Sequence, residues 1–384
     1  MKKALMNASV ASMIYKFNMD NIEILEKFGY QVDIACNFGK ENPMNPEDIN
    51  KFKRILKERN IRFFETSCPR KIMALNKMLS TYKQLKKIAK SEQYNLVHTQ
   101  SPIGGVLCRL AFRNARKTGT KIIYTAHGFH FFKGSSLKSW FLFYPIEKYL
   151  SKYTDVLITI NKEDYELAQK KMYATKTVYI PGVGVDLKKY SKLNVDKVLK
   201  RKELGIPQDA FLLLSVGELS PRKNHQIVIR ALGEMKKKDI YYLIAGIGPS
   251  ENEYRNLISQ YGLKEKIRLL GHREDIAELC IAADCFVHPS VREGLGIAPL
   301  EGMACGLPLI SSFVNGIKDY TKDGISGCCV NPLNLNDMIY AIDKMYSNQE
   351  FRKKCSSHNL ETVKTFDLEK SKEAMRKIYE NLFK

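Results

Sequence analysis

The chain has 384 residues, 44% hydrophobic and 27% charged, with a formal net charge of +21. That length suits two domains of ordinary size, and the composition excludes a disordered chain. No run approaches the roughly 18 consecutive apolar residues of a membrane span, and "MKKALMNASVASMIYKFNMD" lacks the apolar stretch of a signal peptide.

In chain order, the first half alternates β-rich runs with amphipathic stretches. "QVDIAC" (31–36), "NLVHTQ" (95–100), "KIIYTAH" (121–127) and "DVLITI" (155–160) are predicted strands. Long helical stretches lie between them, among them 70–92 and 137–152. After "VYIPGVGVD" the rhythm restarts with "FLLLSVG" (211–217), "YYLIAG" (241–246), "IRLLG" (267–271), "CFVHPS" (285–290) and "LPLISS" (307–312). Helices are predicted at 223–238 and 274–283. A β-α-β rhythm implies a parallel sheet covered on both faces. The expected fold is therefore α/β, with two tandem Rossmann-like, doubly wound domains. The expected boundaries are 1–183, 184–365 and a terminal helix, 366–384, strapping back to the first domain. Ligands of open parallel sheets bind beyond the carboxyl ends of the strands, so two such edges facing each other would form a cleft.

The nine cysteines show no C-x-x-C spacing and are odd in number. That argues against both a metal knuckle and a disulfide framework, and favours a reduced cytoplasm. The charge is uneven. Residues 1–185 carry 31 Lys and Arg against 15 Asp and Glu, whereas the remainder carries 31 against 26. A basic first half points to a polyanionic partner, either nucleic acid or an anionic membrane surface. No helix-turn-helix, zinc-finger or RNA-module signature supports nucleic acid. The stretches 70–93 and 129–145 combine cations with apolar and aromatic residues, as reversible docking on anionic lipid would require. Packing of the same apolar residues on their own sheet is the alternative.

The most informative stretch is "VREGLGIAPLEGMACG", 291–306. A turn with Gly294 and Gly296 leads into a predicted helix with Pro299 in its first turn. Unpaired amides at a helix start favour an anion, and glycine lets the backbone approach it closely. Taken alone, Glu301 is explained by first-turn capping. Glu293 is not, because a carboxylate beside a phosphate turn repels the ligand unless it is aimed elsewhere. Upstream, "VGELSPRKNH" places Arg222 and Lys223 after a strand, where they could clamp a diphosphate. Cations are out of place at the start of a helix, which prefers acid.

The pair Glu293 and Glu301, within "HPSVREGLGIAPLEGMACGLPLI", resembles the E-x7-E signature of family-4 retaining glycosyltransferases with the GT-B fold. "VGELSPRKNH", "AGIGPSENEY", "LLGHREDI" and "IPGVGVD" match further stretches of that family, and "YTAHGFHFFKG" resembles its exopolysaccharide and capsule subgroup. The resemblance implies that Glu301 holds the nucleotide ribose and that Glu293 lies near the donor sugar. Gly294, Leu295, Gly296 and Ile297 would hold sugar and diphosphate, with Lys223 and Arg222 on the phosphates. Gly271, His272 and Arg273 would meet the base, and His127 would face the donor sugar near the transferred group. Two departures stand out: Glu218 replaces a frequent arginine, and the first loop lacks glycine, leaving Ser9 and Ser12 as candidate donors to diphosphate or acceptor.

The resemblance thus implies a hexosyl or N-acetylhexosaminyl transferase with a UDP-linked donor and no separate cofactor. The acceptor would be a glycan on polyprenyl diphosphate at the inner face of the cell membrane. No Asp-x-Asp pair stands out near the site, so a metal-independent reaction is expected. A non-catalytic nucleotide-sugar-binding subunit, a sugar-nucleotide epimerase and a basic nucleic-acid-binding protein are the rival readings.

Overall fold

Strands buried on both faces read as nearly continuous apolar runs, and such runs form both sheets of the computed structural model. It describes residues 2–39, 41–191, 195–237 and 239–383. Two units divide the chain: Met1–Val183 together with Ser371–Lys384, and Gly184–Lys370.

The first unit holds β1 (Lys2–Val10), β2 (Tyr30–Asn37), β3 (Arg62–Glu65), β4 (Leu96–Gln100), β5 (Lys121–Ala126), β6 (Val156–Thr159) and β7 (Lys176–Tyr179). They form one parallel sheet in the order β3-β2-β1-β4-β5-β6-β7. The second unit holds β8 (Phe211–Val216), β9 (Ile240–Ala245), β10 (Ile267–Gly271), β11 (Cys285–His288), β12 (Leu309–Ser312) and β13 (Gly327–Val330). Its order, β10-β9-β8-β11-β12-β13, is again wholly parallel. In each sheet the order reverses once, between β1 and β4 and between β8 and β11. Ligands of doubly wound sheets bind at such a reversal.

Four of these strands are not among those expected from sequence. β1 carries Asn7 and Ser9 among its apolar residues. Asn7 is buried because its Nδ2 donates to Thr99 Oγ1 at 2.7 Å and to the Gly104 carbonyl at 3.3 Å. β3, β7 and β13 are four residues each, at sheet edges, too short to show a period.

The helices bear out only part of each expected apolar stripe. In the helix Leu75–Ser91, Leu85 and Ile88 are buried, yet Leu75 is 69% exposed and the preceding Met73 90%. In the helix Leu137–Ser151, Trp140, Phe143 and Tyr144 pack on Phe129 and Phe131. Leu137 and Phe141 of the same helix are 76% and 81% exposed. The helix Leu368–Glu380 buries Met375 and Tyr379, and Lys372 Nζ lies 3.1 Å from Asp20 Oδ1 in the first unit.

A buried ion pair anchors the first unit. Arg109, fully buried on the helix Pro102–Lys117, donates to Glu147 Oε2 at 2.7 Å and to the Gly105 carbonyl at 3.0 Å. Its guanidinium lies 3.9 Å from the centre of the Tyr124 ring. Removing one partner leaves a buried charge uncompensated, whereas removing both does not. Arg109→Met is therefore expected to cost about 3–5 kcal/mol, read from the unfolding transition of the first unit in urea. Arg109→Met combined with Glu147→Leu should recover most of that loss.

Candidate active site

At the strand-order reversal of the second unit, two loops leave the carboxyl ends of β8 and β11. β8 ends at Val216, and Gly246 lies so near its end that a Cβ there would meet the Gly217 carbonyl oxygen at 1.9 Å. Only glycine permits that approach, which folds the loop 217–225 over the end of the sheet. Arg222 and Lys223 lie in this loop, one turn before the helix Gln226–Met235, so Lys223 does not open that helix as the sequence suggested. Ser220 Oγ and His225 Nε2, in the same loop, are buried without a partner.

The second loop brings Glu293 to these cations. Lys223 Nζ donates to Glu293 Oε2 at 2.9 Å and Arg222 Nη1 to the same oxygen at 3.1 Å. His288 Nε2, at the end of β11, lies 3.5 Å from that oxygen. Burial alone would raise the Glu293 carboxyl; Lys223, then His288 and Arg222, outweigh it and hold it well below the usual range. Burial first, and then Lys223, lower the His288 imidazole, against the pull of Glu293. Glu218 stands further from Arg222, at 3.9 Å, so it competes only weakly for the guanidinium.

The helix Ile297–Ala304 begins after Gly296, which has φ +84° and no room for a Cβ: Glu293 Cγ and Tyr320 Oη would each lie at 3.1 Å. Gly296, the residue before the helix, has no side chain with which to cap its first-turn amides. The Tyr320 hydroxyl donates to the Leu295 carbonyl at 2.9 Å and fixes the turn 294–297. Pro299 is the third residue of the helix and Glu301 the fifth. This corrects the capping explanation of Glu301, which lies beyond the first turn, about two residues too deep to serve the helix start. Its Oε1 accepts instead from the Tyr190 hydroxyl at 2.7 Å. Burial raises the Glu301 carboxyl, against lowering by Tyr190 and Lys189.

Gly271 closes β10 with φ +69° and open space at its Cβ position. His272 follows it, and Arg273 is drawn off to Asp275, with contacts of 2.7 and 2.5 Å. Two of the five guanidinium donors of Arg273 are thereby committed to Asp275.

In the first unit, Ser9 is likewise committed. Its Oγ lies 2.7 Å from Ser101 Oγ and accepts from the Gly104 amide at 3.0 Å, tying β1 to β4 across the reversal. Ser12 is buried in the helix Ala11–Phe17. His127, half-buried after β5, has its Nε2 2.5 Å from Gln100 Oε1. Burial lowers its imidazole to about 4. The contributions of Tyr190, His288 and Gln100 were not foreseen. Only His288 carried a signal, as a polar residue closing an apolar strand.

Two doubly wound parallel sheets, the second with a cation pair and two carboxylates at its strand-order reversal, have the α/β architecture of the GT-B type. The description "Glycosyl transferases group 1" matches residues 196–361, and "Glycosyltransferase Family 4" matches residues 20–189. EpsD of Bacillus subtilis (strain 168) is 34% identical over 382 residues, covering 98% of this chain and 96% of that protein. The UDP-Gal:alpha-D-GlcNAc-diphosphoundecaprenol alpha-1,3-galactosyltransferase of Escherichia coli is 29% identical, over 96% of this chain and 93% of that one. The chain belongs to the family 4 glycosyltransferases. Among solved structures, HepE of Anabaena in complex with UDP superposes with a TM-score of 0.77 at 19% identity, covering 99% of this chain and 100% of that one. Sucrose-phosphate synthase of Thermosynechococcus elongatus gives 0.78 at 20% identity, covering 100% and 99%. At such identity these two likenesses speak for the GT-B fold.

The two glutamates have opposite effects on stability. Glu293, depressed from an ordinary value of 4.5, stabilises the fold fully above that value, and the gain is lost as pH falls through the folded value. Glu301 is raised, so its ionised form costs stability at neutral pH and the cost fades on acidification. At pH 7, Glu293→Gln is expected to lower the melting temperature and Glu301→Gln to raise it. Calorimetry at pH 7 and pH 4 checks both signs, and the difference between the variants should narrow at the lower pH.

Proposed function

We propose that the protein transfers a hexose or N-acetylhexosamine, with retention of configuration, from a UDP-linked donor to a polyprenyl-diphosphate-linked glycan. The reading places it in exopolysaccharide or capsule assembly, in the cytoplasm at the inner face of the cell membrane. One observation carries it: Lys223 and Arg222 converge within 3.1 Å of one carboxylate oxygen beside an uncapped helix start. Two cations and one carboxylate leave one positive charge for a diphosphate, and the helix dipole adds to it. Two similar proteins support the donor and acceptor classes: HepE was solved in complex with UDP, and the Escherichia coli enzyme is a UDP-Gal:alpha-D-GlcNAc-diphosphoundecaprenol galactosyltransferase.

In this mechanism the bond from the anomeric carbon to the diphosphate breaks, and the acceptor hydroxyl bonds to that carbon on the same face. The hydroxyl proton passes to the departing phosphate oxygen. Lys223, Arg222 and the amides of 294–297 stabilise the charge that develops there, each well-placed donor worth about 3–4 kcal/mol. The same cations take the part a metal would play, so the reaction is expected to proceed without one. Glu293, its charge drawn onto two cations, is a poor nucleophile, and Glu301 is assigned to the ribose. Same-face attack is then the route to retention. His127 is assigned to the donor sugar.

The exposed apolar residues suit the membrane reading. Among the described residues no helix is long and apolar enough to cross a membrane. Met73, Leu75 and Leu79 are exposed near Lys83, Lys86 and Lys87 of the same helical region, and Leu137 and Phe141 flank Lys138. Shallow insertion of such residues, assisted by lysines, is how a peripheral protein holds anionic lipid.

A panel of UDP sugars tested with a lipid-linked primer decides the catalytic reading. Transfer with retained anomeric configuration is expected. Lys223→Ala should lower kcat about 10²–10³-fold, the scale of one lost charge-stabilising donor. Donor binding without turnover across the panel would favour the non-catalytic subunit instead. Sedimentation with anionic vesicles should weaken as salt rises, and Phe141→Ser with Met73→Ser should abolish it. Equal binding to neutral and anionic vesicles would reject the electrostatic part.

A further inference from the structure

In the first unit, the hydrogens of one buried polar chain can be assigned in sequence from a single fixed point. That point is the Met13 carbonyl, which can only accept. Asn18 Nδ2 lies 3.0 Å from it, so the inward atom of that amide is Oδ1. Asn18 Oδ1 in turn accepts from Asn21 Nδ2 at 3.0 Å and from Gln100 Nε2 at 2.5 Å. The Gln100 amide is thereby oriented. Its nitrogen also lies 3.2 Å from His98 Nε2, and its oxygen lies 2.5 Å from His127 Nε2. An amide oxygen can only accept, so the His127 proton sits on Nε2. His98 Nε2 faces two donors, Gln100 and the Thr125 hydroxyl at 2.8 Å, and is therefore the bare nitrogen. The His98 proton sits on Nδ1, donated to the Tyr379 hydroxyl at 2.7 Å.

We propose that Gln100, held by Asn18, is a positioning residue that locks His127 in its Nε2–H form, so that Nδ1 is presented as a hydrogen-bond acceptor for a hydroxyl of the donor sugar. The sugar assignment rests on the donor reading above; the tautomer does not. Burial keeps the His127 ring near 4, and burial, then His127, keeps the His98 ring near 3, so both are neutral at pH 7. A neutral ring with its only N–H given to Gln100 cannot donate to the departing phosphate. It can only receive a hydrogen. His127 would then select sugars that offer a hydroxyl at that position, and its contribution to catalysis would be orientation, not charge stabilisation. The alternative tautomer would place a proton on Nδ1 and leave the Gln100 oxygen buried against a bare nitrogen, at the cost of an unsatisfied acceptor.

The full-length protein labelled with 15N-histidine tests this by long-range nitrogen–proton NMR, with the His127 and His98 signals assigned by loss in His127→Asn and His98→Asn. At pH 7, His127 is expected as the Nε2–H form and His98 as the Nδ1–H form. In Gln100→Leu, with circular dichroism unchanged, His127 should become a mixture of tautomers. Gln100→Glu keeps an acceptor at the same place and should restore the Nε2–H form. It should also move the His127 midpoint up by more than one pH unit from about 4, because a carboxylate favours the imidazolium. A His127 proton on Nδ1 in the wild-type protein overturns the proposal, as does a His127 signal indifferent to Gln100→Leu. Should Gln100→Leu not fold, the wild-type spectrum decides. No ligand is needed, so failure of the transfer assay and failure of this inference are separate results.

Discussion

The second unit depends on the contact of Lys223 and Arg222 with the Glu293 carboxylate. Lys223 is nearly buried, and a desolvated cation is tolerated only with a partner. The partner is 70 positions away in sequence. It arrives because β8 and β11 are neighbours, with Leu213 beside Cys285 and Leu214 beside Phe286. The strand-order reversal that makes them neighbours also parts the two connecting helices and opens the crevice into which both loops project. Sheet topology and charge pairing are thus one constraint. Moving β11 by one place in the sheet would leave the cations without an anion and the crevice without a floor.

The first unit uses its reversal differently. There the carboxyl ends of β1 and β4 and the start of the helix Pro102–Lys117 are stitched by hydroxyls and amides: Ser9 to Ser101, Gly104 to Ser9, Asn7 to Thr99. Ser101 adopts φ +66° at the start of the helix Pro102–Lys117, a conformation a serine holds only when its surroundings insist. The groups gathered here are neutral, whereas the second unit places a pair of cations at its reversal. This is at odds with the crude charge distribution, in which the first half holds most of the excess cations. Their place is the exposed surface, beside the apolar residues the fold leaves uncovered. A basic half-chain therefore reports on what that unit meets outside itself more than on the chemistry of its crevice.

The sequence made much of this legible. Five of the six strands of the second unit are found within two residues of their expected places, and Glu293, Arg222 and Lys223 were singled out from their local context, whereas Glu301 was given a role only by the family resemblance. What escaped has physical causes. β1 was hidden by polar residues whose partners are 92 to 97 positions away, and no local period reveals such bonds. The position of Glu301 relative to the helix start was misjudged because Pro299 suits a first turn at N1, whereas the helix starts two residues earlier. Tyr190 acts through a long-range hydrogen bond to Glu301, and Gln100 through long-range bonds to Asn18 and His127, and nothing in their own neighbourhoods announces those roles. The amphipathic stretches were half informative: periodicity finds a helix, but it does not say how much of the apolar stripe the sheet has room to cover.

The two glutamates of the signature show how one short turn sets two unlike environments. Eight residues apart, both half-hidden from water, they differ in what faces them. Glu293 meets two cations and an imidazole, and its charge is balanced before any ligand arrives. Glu301 meets one phenol, and its charge is poorly compensated. A carboxylate in the second condition gains most from an added hydrogen-bond donor, because each one offsets a desolvation cost already incurred on folding. Vicinal hydroxyls of a ribose are such donors, and a phosphate is not. A carboxylate in the first condition gains little from donors, but it decides how much positive charge remains for an incoming diphosphate. On the proposed function, a division of labour between nucleoside and pyrophosphate would thus follow from the neighbours of each acid, not from the acids themselves. It would hold only while the helix that carries Glu301 starts at Ile297 and keeps that side chain on Tyr190.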